Sequence, residues 1–141
     1  MAKSSKLVVD ASVVVKWYVD EEYSAQALRI LEEYGDGKLD LLSVQLMPFE
    51  VLNALRYNPS MGVRDVERAG ESLSKAQINL FPILDGLYLD SIRIANEYGT
   101  TIHDSTYLAL AKSEGCNLCT ADENFVKRIE PDGNLKLLKD M

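Results

Sequence analysis

The patterned part of the chain opens with Lys-Leu-Val-Val-Asp, Lys6 to Asp10, an unbroken apolar run that ends in an acid. Runs without polar alternation belong to central strands of a parallel sheet covered on both faces. Ala11 to Val19 has room for a helical turn or two. The period then lengthens: Ala27, Leu28, Ile30, Leu31 and Tyr34 form one helical stripe within Ser24 to Tyr34, with Ser24 as the expected N-cap and Gly35 beyond the last turn. Leu39 to Ser43 reads as a second strand. Pro48 suits the first turn of a helix that carries Phe49, Val51, Leu52 and Leu55 up to the Asn58-Pro59 break, and Glu50 rides on it.

Val63 to Gln77 is a charged amphipathic helix with Val66, Ala69, Leu73 and Ala76 on its apolar side. Ile78 to Ile83 is extended, and Pro82 marks it as a sheet edge. Asp85 to Tyr98 forms a helix stopped by Gly99, and Asp104 to Glu114 a helix opened by its acid and closed by Gly115. Asn117 to Thr120 is a short strand, Glu123 to Ile129 a helix, and Leu135 to Leu138 the last strand. Strand followed by helix, repeated, predicts an α/β protein: a three-layer α/β/α sandwich on a mainly parallel sheet of about five strands.

Length bounds this picture without altering it. The 141 residues fit one domain, 1–141, able to bury its own core, and no repeat or linker divides them. No apolar run approaches the ~18 residues a membrane helix needs, and the start of the chain lacks the apolar core of a signal peptide, so no membrane association and a cytoplasmic location are expected. Charge does alter it. With 15 Lys plus Arg against 22 Asp plus Glu the net charge is −7, which counts against a nucleic-acid partner unless carboxylates are gathered around cations.

Four acids meet that condition. Asp10 ends the first strand, Glu50 is in the helix after the second, Asp104 opens a helix, and Asp122 follows the strand that ends at Thr120. Loops beyond the carboxyl ends of parallel strands converge on ligands, so four separate stretches can reach one pocket. Bare carboxylates ~4 Å apart repel by roughly 1 kcal/mol per pair in water and about 4 at an effective dielectric of 20. Such a cluster requires cations, and all-oxygen ligands favour Mg²⁺ or Mn²⁺, with phosphodiester hydrolysis as the chemistry. Ser12 and Thr120, each two residues from an acid, are placed to orient those carboxylates.

The stretches Leu-Val-Val-Asp10-Ala-Ser, Phe-Glu50-Val-Leu-Asn, His-Asp104-Ser-Thr-Tyr-Leu-Ala-Leu-Ala and Thr120-Ala-Asp122-Glu-Asn-Phe resemble the successive motifs of PIN-domain ribonucleases. The resemblance covers nearly the whole chain and is greatest to the short, single-domain toxins of the VapC type. It implies a PIN-like fold and a metal-dependent endoribonuclease acting on an RNA substrate and restrained by an antitoxin protein. It also implies a quartet of Asp10, Glu50, Asp104 and Asp122, with Thr120 as the family's hydroxyl before the last acid. His103, where relatives often carry an aromatic residue, and Asn124, where some add an acid, depart from the pattern.

Other signals read as structural. Cys116 and Cys119 lack the further ligands of a zinc site and stand on or beside a strand, so they are expected to pack as small apolar residues. Tyr34, Tyr98 and Tyr107 are expected in packing, Glu123 as a solvated helix-start charge, and His103 in a local structural role. Arg56, Arg64 and Arg68 are candidate phosphate contacts. Two other functions compete: a PIN-fold RNA- or protein-binding module without catalysis, and a phosphatase or phosphoacceptor domain with Asp10 as nucleophile. The latter wants a second Asp where this chain has Ser12. Finally, the helices Ser24 to Tyr34 and Val63 to Gln77 offer more apolar stripe than a small sheet can cover, so a homodimer is expected.

Overall fold

A computed structural model describes residues 5–129 and 133–141. Five strands, β1 (Ser5–Val9), β2 (Leu39–Val44), β3 (Asn79–Phe81), β4 (Asn117–Thr120) and β5 (Leu135–Leu137), form one sheet in the order β3-β2-β1-β4-β5. All four pairings are parallel. Successive residues on a strand point to opposite faces, and Val8 and Val9 of β1 and Leu118, Cys119 and Thr120 of β4 are all buried. Both faces are therefore covered, which gives the expected three layers. Around the sheet stand α1 (Ala11–Val14), α2 (Ser24–Gly35), α3 (Met47–Arg56), α4 (Val63–Ala76), α5 (Asp85–Tyr98), α6 (Ile102–Glu114) and α7 (Glu123–Ile129). No helix among the described residues is long and apolar enough to cross a membrane.

The strand order sets the place of the site. From β1 the chain builds outward through β2 to β3, then returns to lay β4 on the other side of β1. Loops leaving β1 and β4 part company there, opening the crevice that parallel sheets use for ligands. Edge position for β3, next to Pro82, agrees with the sequence.

Three local details differ from the sequence reading. Ser24 is the first residue of α2, not its cap: the capping position falls on Tyr23, which is left-handed at φ 67°. Ser24 Oγ instead accepts from Glu21 N at 3.0 Å and donates to Val19 O at 2.9 Å, tying the loop that enters the helix. Asp104 does not open its helix. Thr101 caps α6, its Oγ1 accepting from the Asp104 N–H at 3.0 Å, so Asp104 is the third residue of the helix, within its first turn. The apolar stripes of α2 and α4 are only partly surplus surface, with Leu28 on α2 and Val63 on α4 exposed. Ala27 and Ile30, and Ala69 and Leu73, are buried within the protomer, whereas Phe49, Tyr57 and Val63, and on or beside α5 Leu84, Tyr88, Leu89 and Ile92, are exposed.

Candidate active site at the switch point of the sheet

Strand register builds half of the site. Val9 of β1 pairs with Cys119 of β4, so the next residues, Asp10 and Thr120, come side by side at the carboxyl edge. Thr120 Oγ1 donates to Asp10 Oδ2 at 2.5 Å, and Ser12 Oγ donates to Asp10 Oδ1 at 2.5 Å. The Val13 N–H adds a third bond to Oδ1 at 3.3 Å, which makes Asp10 the cap of α1. Each hydroxyl also accepts from the β4–α7 turn: Ser12 Oγ from Ala121 N at 2.9 Å, Thr120 Oγ1 from Asp122 N at 3.2 Å. Asp122 Oδ1 in turn accepts from Phe125 N at 3.1 Å and starts α7. Both hydroxyls picked from sequence thus orient Asp10, and both hold the turn that carries Asp122.

Helices supply the other half. Pro48 in the first turn of α3 fixes the start of that helix and so the position of Glu50. Tyr107 of α6, 2% exposed, donates its phenol proton to Glu50 Oε1. Asp104 lies three residues earlier on the same helix, one turn away and on the same side. Because α6 leads into β4, it begins at the sheet's carboxyl edge, and that brings Asp104 to the rim although no strand immediately precedes it.

Electrostatics tie the two halves together. Burial raises the Asp10 carboxyl to about 6; the bonds from Ser12, Thr120 and Val13 oppose the rise, and the charge of Asp104 adds to it. Burial, then the Glu50 bond, drives the Tyr107 phenol far above its ordinary value, with Asp10 and Asp104 contributing, so Tyr107 stays a neutral donor. Asp10, Glu50 and Asp104 therefore all act on one phenol. Asp104 and Asp122 line a common open cleft with Asn124 and Arg128. No described residue forms an ion pair with any of the four acids.

These carboxylates suit a hard divalent cation: donors are oxygen only, their charge is uncompensated, and the crevice is open to solvent. Among the described residues no three His, Cys, Asp or Glu side chains are placed to hold a metal ion together. A larger cavity of about 730 Å³, between α2, α7 and β5, contains none of the four.

Two residues escaped the sequence reading. Tyr107 packs as expected, but its hydroxyl is committed to Glu50; the signal was its spacing from Asp104. Arg128, on α7, lines the Asp104–Asp122 cleft, and its Nη1 donates to Gly99 O at 2.5 Å. Gly99, left-handed at φ 67°, ends α5 and presents that carbonyl. The candidates Arg56, Arg64 and Arg68 are exposed on α3 and α4 outside this cleft, with Arg56 stacked 5.6 Å from the Tyr57 ring centroid. His103 is exposed on the first turn of α6. Cys119 is buried, its thiol raised to about 12 mainly by burial.

Comparison with known proteins agrees with this geometry. The PIN domain model matches residues 7–130. Ribonuclease VapC3 from Pyrobaculum aerophilum is 30% identical over 131 residues, covering 87% of this chain and 94% of the relative. A toxin-antitoxin complex from Klebsiella pneumoniae superposes with a TM-score of 0.70 at 16% identity, over 94% of this chain and 97% of that one. VapC20 from Mycobacterium tuberculosis, a Sarcin-Ricin loop cleaving toxin, superposes at 0.68 and 15% identity, over 86% and 93%. The structural matches bear on the fold, whereas the family match spans most of the sequence and all four acids: the chain belongs to the PIN domain family.

Proposed function

We propose that this protein is a metal-dependent endoribonuclease, a single nuclease domain over 1–141 and the toxin of a toxin-antitoxin pair, which hydrolyses RNA phosphodiester bonds in the cytoplasm. What supports the reading is the placement of Asp10, Glu50, Asp104 and Asp122 toward the carboxyl edge of a PIN-domain sheet, with no cationic side chain among the described residues paired to them. The 30% identity to a VapC ribonuclease supports it.

Asp10, Glu50, Asp104 and Asp122 would hold Mg²⁺ or Mn²⁺. When bound, the cation supplies an activated water and neutralises charge on the departing oxygen. The chain's own part is positioning. Ser12 and Thr120 hold both oxygens of Asp10, and Tyr107 holds one oxygen of Glu50. Asp122 is fixed by the turn it caps. Arg128 stands in the cleft where a substrate phosphate would enter, and Arg56, Arg64 and Arg68 are placed to meet the RNA backbone farther out.

The exposed apolar residues support two protein contacts, a second copy of the chain and an antitoxin whose basic side chain enters the acidic pocket. Likeness to toxin-antitoxin complexes supports the latter. The deciding experiment is an RNA cleavage assay with the metal-free protein, with Mn²⁺ added, and with EDTA. Cleavage that appears with Mn²⁺ and vanishes with EDTA is expected; RNA bound but never cut would favour the binding-module reading. Light scattering at tens of micromolar checks the dimer, and a 15.8 kDa monomer would refute it.

A further inference from the structure

Two aromatic rings of α3 are left in solvent. Phe49, the residue before Glu50, and Tyr57, which ends the helix, are each 73% exposed. Met47, Val51 and Leu55, four residues apart, form the buried side of α3. Helical periodicity puts Phe49, Asn53 and Arg56 on the opposite side, with Glu50 and Tyr57 together on its flank. Asn53 and Arg56 are exposed as well, and the Arg56 guanidinium lies 5.6 Å from the Tyr57 ring centroid. From Phe49 to Tyr57 the sole acid is Glu50, in a chain whose net charge is −7. The exposed stripe of α5 is different in kind. There Leu84, Tyr88, Leu89 and Ile92 recur three or four residues apart with Asp85 and Asp90 among them, which suits an apolar protein contact and repels a polyanion.

Aromatic rings and guanidinium planes stack on the faces of unpaired bases, and an amide bonds base edges; the α3 face offers all three. We propose that this face is a stacking platform for unpaired RNA bases, with Phe49 receiving the base nearest Glu50 and Tyr57, beside Arg56, a base farther along. The proposal rests on the RNA-cleaving reading and adds to it the form of RNA taken, single-stranded and not paired. The spacing of the rings argues for that form. Eight residues of helix separate their backbones by about 12 Å, whereas stacked bases are about 3.4 Å apart, so a strand that meets both rings must be unstacked between them. A duplex, whose bases already cover one another's faces, cannot do so.

The test measures binding of the purified full chain to a short, unstructured, fluorescently labelled RNA by anisotropy, in EDTA, beside the same RNA annealed to its complement. Wild type is expected to prefer the single strand. Phe49→Leu, which keeps an apolar side chain but removes the π face, should weaken it by ~10-fold, the scale of one lost base stack, and Phe49→Trp should hold it as well or better. Tyr57→Leu should act in the same direction. None of these changes removes a charge, so the slope of log affinity against log salt should stay as in wild type. Both side chains are exposed, so the variants keep the fold. A Phe49→Leu protein that binds like wild type overturns the proposal, as does a Phe49→Trp protein that falls as far as Phe49→Leu, or a duplex bound as tightly as the single strand. Unchanged RNA affinity beside a loss of mass in light scattering would make Phe49 a contact between copies of the chain, and that too overturns it. Where binding in EDTA is too weak to read but Mn²⁺ supports cutting, KM is the readout: Phe49→Leu must raise it with kcat within about twofold, and an unchanged KM overturns the platform. RNA cut with Mn²⁺ at an affinity indifferent to the Phe49 variants ends this inference alone. Affinity that depends on Phe49 without any cutting ends the nuclease reading alone, and a chain that neither binds nor cuts ends both.

Discussion

Asp10 and Glu50 share one rim but are held by different means. Among the described residues Asp10 has three donors on its two oxygens, two from α1 directly after β1 and one from the end of β4, and its place beside Thr120 follows from strand register. Glu50 has one donor, from α6, and Asp104 on that same helix has no described hydrogen bond to its carboxylate. Strands fix the first half; two helices meeting through a single phenol carry the second. The stiff half meets the larger desolvation cost, visible in an Asp10 carboxyl raised to about 6.

If that division is right, activity should demand both halves equally while stability should not. Asp104→Asn and Asp10→Asn are each expected to lower RNA cleavage by ~10³-fold or more, because several kcal/mol of transition-state charge stabilisation depend on them and about 1.4 kcal/mol is tenfold. Asp104→Asn should keep the fold, since Thr101 and not Asp104 caps α6, and should leave the melting temperature in EDTA unchanged or higher. Activity within threefold of wild type for either variant, or a lower melting temperature for Asp104→Asn, would break the comparison.

The halves should next separate by pH. Burial raises the folded Asp10 carboxyl to about 6 against 3.8 for an Asp free in water, so the folded chain holds that proton more tightly. Its contribution to stability is complete below about 3.8 and is lost as pH rises through about 6, by up to about 3 kcal/mol at roughly 1.4 kcal/mol per pH unit. In metal-free protein, Asp10→Asn should therefore match wild type near pH 4 and exceed it near pH 7.5, read from urea midpoints. Parallel curves for the two proteins would remove the claim that burial dominates at Asp10. Thr120→Val should do less: the part-buried bond to Asp10 Oδ2 and the acceptor for Asp122 N are both lost, at about 1–3 kcal/mol. Mn²⁺ affinity is expected to fall about tenfold with it, measured by calorimetry.

The same division explains what the sequence could disclose. β1, β2 and β4 are legible because both faces are buried toward their carboxyl ends and each carries a short apolar stretch there, Leu7 to Val9, Leu41-Leu42 and Leu118-Cys119, and an acid soon after such a strand is conspicuous, as with Asp10 and Asp122. The helical half was harder. Asp104 looked like a helix opener because nothing local reveals that Thr101 takes the cap, and its arrival at the rim depends on α6 running into β4. Tyr107 in an apolar helix has the pattern of a core residue, which it is; its partner lies 57 residues away. The apolar stripes of α2 and α4 suggested surplus surface, since how much a fold covers is settled only by packing. That packing covers Ala27, Ile30, Ala69 and Leu73 but leaves Leu28 and Val63 of those two helices outside, together with Phe49 and the Leu84–Ile92 side of α5.

The smallest effect is expected at Arg128, where the two halves meet the substrate. Its guanidinium is anchored by the Gly99 carbonyl that precedes α6, yet it extends from α7, whose start is the Asp122 turn, so it bridges the mouth between them. A carbonyl takes one N–H and leaves the remaining donors of the fork for an anion. The nearby Asp104 and Asp122 charges favour the guanidinium's presence without pairing to it, and a cation at the mouth offsets the repulsion that an acidic rim exerts on RNA. Arg128→Ala should weaken RNA binding by a fewfold regardless of sequence and reduce the slope of log affinity against log salt by about one contact's share, near 0.7 for a single strand. Binding measured in Ca²⁺-free EDTA buffer isolates this contact from the metal site. An unchanged salt slope would take Arg128 out of the interface and leave the phosphate contacts to Arg56, Arg64 and Arg68; a slope lowered alongside normal Mn²⁺ affinity would fix it as a substrate contact independent of both carboxylate halves.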